Sequence, residues 1–283
     1  MVLKFYRALL RLPQFKGKSR IIQFYRALFF RTHRITGTHG FVLELDPIQW
    51  AQSELLRDGC IESLTSALYG KLLRLGDSYV DVGAHIGYHT LLARSCIGAE
   101  GQVIAVEPQP YNCEKVLANW RANGFENLAL YVAAIGEQNS TVRLHQQVET
   151  DSSRLSMCLE PVNDEARIFY VPLRRLDAIL AEQAVERIRL LKIDVEGYEL
   201  EVINSLGGFF TAIDNIILEV LDTSSGVSAK SVALIEKLKS LEYQLHTVEG
   251  HAWDQHSPLP ENNLWASRCI ELSSVSLQEC ESA

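Results

Sequence analysis

DVGAHIGYHT (residues 81–90) is the stretch that decides the fold. It reads as a buried strand that runs into a turn bearing Gly83 and Gly87 and then into a helix. Glycine lets the backbone turn tightly and removes the Cβ that would keep a ligand at a distance. The helix that follows, from about Ile86, points its N-terminus at the same place. The stretch therefore predicts a site for a nucleotide-like cofactor.

The glycine spacing narrows the kind of cofactor. The two glycines follow the pattern GxxxG, which lacks the middle glycine of GxGxxG. In a dinucleotide site that middle glycine lets the backbone approach the pyrophosphate closely, so its absence argues against a dinucleotide cofactor. Strand 102–107 follows and ends in Glu107, 24 residues beyond Gly83. An acid at this strand tip is placed to accept hydrogen bonds from the ribose hydroxyls of an adenosine. The alternative is a plain solvent-exposed carboxylate.

The predicted cofactor-binding residues lie in these two segments and at the end of the third strand: Asp81, Gly83, His85, Gly87, Thr90, Glu107 and Ala134. Small residues from Ala133 to Gly136 are expected to flank the adenine. A histidine inside a turn, such as His85, is more often structural than a ligand contact, and both readings stay open.

A second stretch, LLKIDVEGYELEVI (190–203), reads as a buried strand followed by acids. Ligands in open α/β sheets bind just beyond the carboxyl ends of the strands, so Asp194 and Glu196 are expected to face the same crevice as Gly83 and to be catalytic. Helix N-terminal acids that complement the helix dipole are the alternative for Glu196 and Glu199. Asp194 and Glu196 are also suited to a divalent cation, and the sequence does not separate a carboxylate base from a metal site.

Glu219 ends the next strand, NIILEVL, and points to the same rim. Glu199 and Glu219 are therefore predicted to bind the acceptor substrate. A plain strand-end acid is the alternative for Glu219.

Strands and helices alternate along the chain, which is the pattern of a mostly parallel sheet covered by helices on both faces. The predicted strands are 78–82, 102–107, 128–133, 188–194, 215–221 and 242–248, with a last one near 264–270. The predicted helices are about 86–97, 110–123, 197–205 and 228–240. Residues 138–174 turn β-like and polar, which indicates an insertion or a lid.

Charge is unevenly distributed. Of the 27 Lys and Arg residues, nine lie in residues 1–34, which contain no acid. The other 18 stand against 35 acidic residues, so the rest of the chain has a net charge of −17. An acidic body does not suit a nucleic-acid binder. A basic arm on such a body suits an anionic membrane surface or an acidic patch on a neighbouring subunit.

The basic arm contains a small repeat, FYRALL (5–10) and FYRALF (24–29). It is expected to form two short amphipathic helices that lie in a membrane interface, so that peripheral membrane contact is one prediction. A packing arm, a homo-oligomer contact and a cleaved targeting peptide are the alternatives. Six scattered cysteines without a CxxC pair favour reduced thiols in the cytoplasm.

Together these motifs resemble the FkbM-type family of S-adenosylmethionine-dependent methyltransferases. The resemblance rests on DVGAHIGYHT, AVEPQP (105–110), AIG (134–136), LKIDVEGYELEVI (191–203) and ILEV (217–220), and it covers roughly residues 76–221. It implies a class I methyltransferase (Rossmann-like) fold with a seven-stranded, mostly parallel sheet whose last strand is antiparallel. The family commonly has Asn where this chain has His85.

The resemblance also implies the activity: O-methylation of a hydroxyl, often on a sugar, glycan or natural product, with S-adenosyl-L-methionine as the methyl donor. A non-catalytic cofactor-binding scaffold and a nucleotide-dependent oxidoreductase are the alternatives. The expected domains are a basic extension (1–34), an N-terminal strand and helical cap (35–75), the methyltransferase domain (76–270) and a disordered tail (271–283).

Overall fold

A computed structural model describes residues 2–13, 15–28, 33–46, 49, 52–146, 155–156, 167–220, 222–223, 226–255 and 257–268. The helices are α1 (Val2–Arg11), α2 (Lys18–Leu28), α3 (Ser53–Asp58), α4 (Ser63–Leu72), α5 (Tyr88–Ile97), α6 (Pro110–Ala122), α7 (Leu176–Glu182), α8 (Glu199–Asn204) and α9 (Ala229–Ser240). The strands are β1 (His33–Thr36), β2 (Val42–Leu45), β3 (Ser78–Val82), β4 (Gln102–Val106), β5 (Leu128–Tyr131), β6 (Ala134–Ile135), β7 (Ser140–Gln146), β8 (Leu155–Ser156), β9 (Arg167–Arg174), β10 (Ile188–Ile193), β11 (Ile213–Glu219), β12 (Asp222–Thr223), β13 (Gly226–Val227), β14 (Gln244–Thr247) and β15 (Asn263–Ser267).

The central sheet has seven strands in the order β14-β15-β11-β10-β3-β4-β5. Strands β5, β4, β3, β10 and β11 pair in parallel, whereas β15 is antiparallel to both β11 and β14. The fold expected from the resemblance, with seven strands and an antiparallel last strand, is confirmed.

The central strands are short apolar runs because both of their faces are buried. Successive side chains of a strand point to opposite faces, so Tyr79 and Val80 of β3 join two different apolar clusters. Leu68 and Leu91 from α4 and α5 cover the face that Tyr79 occupies. Helices α7, α8 and α9 cover the other face.

Two helices start later than the sequence pattern predicts, and left-handed backbone is the reason. Helix α5 begins at Tyr88 rather than at Ile86 because Gly87, the residue before it, has φ +87°. Helix α8 begins at Glu199 rather than at residue 197. Glu196 and Gly197 have φ of +53° and +97°, which no right-handed helix accommodates.

The predicted insertion at residues 138–174 supplies β7, β8 and β9 of a second sheet, whose order is β6-β9-β7-β8. Strands β7 and β9 pair antiparallel along Ser140–Gln146. Residues 147–154 and 157–166 lie outside the described residues, as does the predicted tail at 271–283. The lid role of this segment stays a prediction.

The N-terminal helices precede β1, which crosses the expected domain boundary after residue 34. Strand β2 is tied to the core by α6, because the side-chain oxygens of Asn123 and Asn119 each accept a hydrogen bond of 2.6 Å from the backbone N–H groups of Val42 and Glu44. In the described part of the chain no helix has the length and apolarity needed to cross a bilayer.

Candidate active site

The carboxyl ends of β3, β4 and β10 meet at one edge of the central sheet and surround one pocket. Gly83 follows β3, Glu107 follows β4 and Asp194 follows β10. The pocket is lined by Val82, Gly83, His85, Val106, Glu107, Pro108, Asn112, Ala133, Ala134, Ile135, Leu144, Asp194, Val195, Glu196 and Tyr198. The two stretches that are distant in sequence therefore form walls of one pocket.

The glycine turn serves the protein's own packing as well as the pocket. Gly83 has φ +89°, and a Cβ at this position would lie 1.8 Å from the backbone oxygen of Asp194. The N–H of Asp194 in turn donates to the carbonyl of Val82 over 2.9 Å. The missing Cβ at Gly83 thus lets the turn after β3 pack directly against the backbone of Asp194 after β10. Gly87 ends the turn with φ +87°, against the side chain of Val116.

Glu107 is held by three hydrogen bonds at the tip of β4. One carboxylate oxygen accepts from the backbone N–H of His85 at 2.9 Å. The other accepts from the backbone N–H of Gln109 and the side-chain amide of Asn112, each at 3.0 Å. Burial nevertheless raises the pKa of Glu107 to about 7, against the opposing effect of these hydrogen bonds.

The side of the pocket next to Glu107 is apolar. Ala133, Ala134 and Ile135 follow β5, and Leu144 of β7 also lines the pocket. Ala134 therefore lines the pocket, and its contact with a cofactor stays a prediction. Leu144 belongs to the insertion and was not predicted.

Asp81 and Thr90, both predicted to bind cofactor, lie beneath the pocket and do not line it. The Thr90 hydroxyl donates to Asp81 over 2.6 Å, and both residues are almost fully buried. Burial raises the pKa of Asp81, while the nearby Lys192 opposes that rise. Their observed contacts attach α5 to β3.

Asp194 carries a buried partner that the sequence analysis missed. The ammonium of Lys192, only 2% exposed, donates to the Asp194 carboxylate over 2.7 Å. Burial alone would lower the pKa of Lys192, but Asp194, Glu62 and Asp81 raise it above its usual value. The lysine therefore stays charged, and it fixes the Asp194 carboxylate beside the pocket.

Glu62, at the start of α4, continues this network on the side away from Asp194. Its carboxylate bonds the Nε2 of His89 at 3.0 Å. Burial alone would raise the pKa of Glu62, yet Lys192 and His89 hold it down at about 2. His89, in the cofactor motif, thus pairs with an acid of the N-terminal cap.

The acids after β10 divide into two groups. Glu196 lines the pocket beside Asp194 and Tyr198. Glu199 does not line it, because its carboxylate accepts from the backbone N–H groups of Val195 at 3.3 Å and Gly197 at 3.0 Å. Glu199 is the first residue of α8, the position that the alternative of a helix N-terminal acid gave it, and its contacts also close the turn before the helix.

Glu219, at the end of β11, is a neighbour of these acids. Its carboxyl is partly buried, and one oxygen has no hydrogen-bond partner among the described residues. Burial, followed by the charges of Asp194, Glu196 and Glu199, raises the pKa of Glu219 to about 8. Glu219 is not among the residues that line the pocket.

A divalent cation gains no support from this arrangement. The described residues contain no group of three or more His, Cys, Asp or Glu side chains arranged to hold a metal ion. Asp194, one of the two suggested ligands, has a buried lysine at 2.7 Å instead.

The sheet order and the pocket at its carboxyl edge are those of the class I, Rossmann-like fold. Residues 81–245, more than half of the chain, match the family described as Methyltransferase FkbM domain. The chain belongs to this family, so the family expected from the motifs is confirmed. It is an S-adenosylmethionine-dependent methyltransferase.

Individual relatives are distant. Methyltransferase 1 of Beauveria bassiana is 28% identical over 178 residues, which are 56% of this chain and 71% of that protein. The AMB antimetabolite synthetase AmbE of Pseudomonas aeruginosa is 31% identical over 112 residues, 37% of this chain and 5% of that protein. A solved methyltransferase FkbM from Methylobacillus flagellatus KT is 18% identical, with a TM-score of 0.39, over 76% of this chain and 52% of that one.

The pocket fits the cofactor of this family. A carboxylate has about four lone-pair positions, and three of those on Glu107 are used by the protein. One lone pair of the oxygen that bonds His85 therefore remains as an acceptor for a ribose hydroxyl. The apolar wall of Ala133, Ala134 and Ile135 suits an adenine ring.

Proposed function

We propose that this protein transfers the methyl group to a hydroxyl oxygen on a sugar, glycan or natural product. One observation carries the proposal: Glu107 follows β4, Asp194 and Glu196 follow β10 on the other side of β3, and all three line one pocket. S-adenosylmethionine, when bound, supplies an electrophilic methyl group. Carboxylates on the far side of such a pocket suit an acceptor that must give up a proton.

Positioning is the larger part of the chain's contribution. Holding two reactants in the right geometry is worth up to ~7–11 kcal/mol in well-oriented systems. A general base typically adds ~10²–10⁴ in rate. The buried Lys192 ammonium supports this role, because it holds the Asp194 carboxylate in one orientation. Loss of the base alone therefore leaves measurable turnover.

Asp194 or Glu196 removes or polarises the acceptor proton in this proposal. Asp194 is the better positioned of the two, since its charge is balanced and its carboxylate is fixed by Lys192. Glu196 is held beside it by a strained backbone, with φ +53°. Non-glycine residues in this region cluster at functional sites, which supports a role for Glu196 in the pocket.

The test of the base compares Asp194→Asn and Glu196→Gln with the native chain. The amide of the true base is expected to lower turnover roughly 10²–10⁴-fold while S-adenosylhomocysteine binding stays nearly unchanged. Glu201→Gln is the control, because Glu201 is bonded to Lys230 on the surface at 3.0 Å and does not line the pocket. Full turnover by both pocket amides would exclude either acid as the base.

The acceptor class needs a separate test. The protein is incubated with methyl-tritiated S-adenosylmethionine and an extract divided into small-molecule and glycan fractions. Label in an alkali-stable methyl ether is the expected product. An alkali-labile methyl ester, or label on nitrogen, would contradict hydroxyl methylation without touching the methyltransferase assignment.

A further inference from the structure

The N-terminal helices α1 and α2 form a defined pair in which the two copies of the repeat face each other. Tyr6 and Tyr25, at equivalent positions of the repeat, stack with ring centroids 4.1 Å apart, and both are buried. The ammonium of Lys18 donates to the carbonyls of Leu10 and Leu12 at the end of α1. Arg11 donates to the carbonyl of Arg57 over 2.8 Å, which ties the pair to α3.

Large apolar side chains remain on the outside of this pair. Phe5 and Phe24 directly precede the stacked tyrosines, so they emerge at the same level of the two helices, and they are 61% and 67% exposed. Leu12, Phe15 and Ile21 are between 42% and 51% exposed. Five such residues within a segment of about twenty mark an interaction surface rather than scattered surface residues.

The charge that the basic arm itself carries is entirely positive. Arg11 of α1, Lys16 of the connection between the helices and Arg20 of α2 are exposed. Residues 1–34 contain no acid, and the remainder of the chain has a net charge of −17. Aromatic and aliphatic side chains flanked by Lys and Arg are the composition of helices that lie in the headgroup region of a bilayer. Anionic lipid satisfies both features at once.

We propose that the exposed face of the α1–α2 pair, defined by Phe5, Leu12, Phe15, Ile21 and Phe24, docks on an anionic phospholipid surface. The helices lie in the plane of the interface. The rings enter the boundary between headgroups and acyl chains, while Lys16 and Arg20 meet the lipid phosphates. This surface is independent of the methyl-transfer site.

Vesicle flotation of the full chain tests the proposal. Phosphatidylcholine vesicles with about 30% phosphatidylglycerol are expected to carry the native protein, and pure phosphatidylcholine vesicles are not. Phe5→Ser combined with Phe24→Ser is expected to lower partitioning roughly tenfold or more, because two exposed rings no longer enter the bilayer. Lys16→Gln combined with Arg20→Gln is expected to lower partitioning to a similar extent. Added salt is expected to lower the partitioning of the native chain in the same way, because it screens the attraction to anionic lipid.

Leu75→Ser is the matched control, since Leu75 is 81% exposed on the body and lies outside the arm. It is expected to float like the native chain. Each variant is used only with native circular dichroism. Native protein that fails to float with anionic vesicles would overturn the proposal, as would native flotation of the double phenylalanine variant. A concentration-dependent dimer that this variant abolishes, without any vesicle binding, would assign the face to self-association instead.

Discussion

The Lys192 ammonium lies 2.7 Å from a carboxylate oxygen of Asp194, in a strand whose other side chains are almost all apolar. The pair joins the wall of the pocket to a buried set of charges that includes Glu62 and Asp81. A buried ion pair contributes little net stability, but removal of one partner leaves an uncompensated charge. Replacement of Lys192 is therefore expected to affect the protein as much as replacement of Asp194, the acid that it holds.

Lys192→Met is expected to lower the free energy of unfolding by about 3–5 kcal/mol, because three nearby carboxylates lose their counter-charge. Lys230→Met is the control: its ion pair with Glu201 measures 3.0 Å, but the lysine is largely exposed. That change is expected to cost below about 1 kcal/mol. Urea unfolding of both variants measures the two free energies of unfolding. Equal losses of stability in the two variants would contradict the proposed role of Lys192 as the counter-charge of the buried carboxylates.

Gly83→Ala is expected to destabilise the protein by about 4 kcal/mol or more, since its Cβ falls 1.8 Å from a backbone oxygen at φ +89°. Gly87→Ala shares the left-handed backbone, but its Cβ meets only the Val116 side chain and backbone at 3.3–3.4 Å. It is expected to cost about 1–2 kcal/mol. Chemical denaturation measures both. A Gly83→Ala cost no larger than that of Gly87→Ala would contradict the close crossing of the two motifs.

Binding of S-adenosylhomocysteine is expected to strengthen as pH rises through about 7, the pKa of buried Glu107, because the ionised carboxylate is the better acceptor for ribose hydroxyls. Glu107→Gln is expected to bind roughly 10–100-fold more weakly and to lose this pH dependence. Calorimetry at several pH values measures both effects. Glu126→Gln, at an exposed site, is the control. Native affinity in Glu107→Gln would rule out the ribose contact.

Glu219 predicts a pH dependence of stability. Its pKa is raised from 4.5 to about 8, so the unfolded chain ionises first and the native chain loses stability as pH rises between these values. The Glu219→Gln variant has no carboxyl at this position, so its stability does not fall over this pH range for this reason. At pH above about 8 the variant is expected to gain about 1 kcal/mol, or about 2–4 °C in Tm, after discounting for solvent screening at a partly exposed group. Glu249→Gln is the control, and parallel Tm curves for native and Glu219→Gln chains would refute the shifted pKa.

Local pattern predicted the strands and helices of the core because burial on both faces forces short apolar runs between glycine turns. It missed the starts of α5 and α8, where the φ values of Gly87 and Glu196 decide the boundary. A lysine inside the apolar run LLKID was a signal for Lys192. Leu144 and Glu62 carried no such signal, since their neighbours come from distant parts of the chain.

The sequence by itself determined the fold class, the family and the edge of the sheet at which the pocket lies, because glycines and acids after parallel strands must gather there. Only the tertiary structure decided which acids reach the pocket. It turned Glu196 into the pocket, bonded Glu199 to the turn and placed Lys192 behind Asp194. These positions depend on close backbone contacts and buried charges. The residues that supply them are far apart in the chain, so no local sequence pattern encodes them.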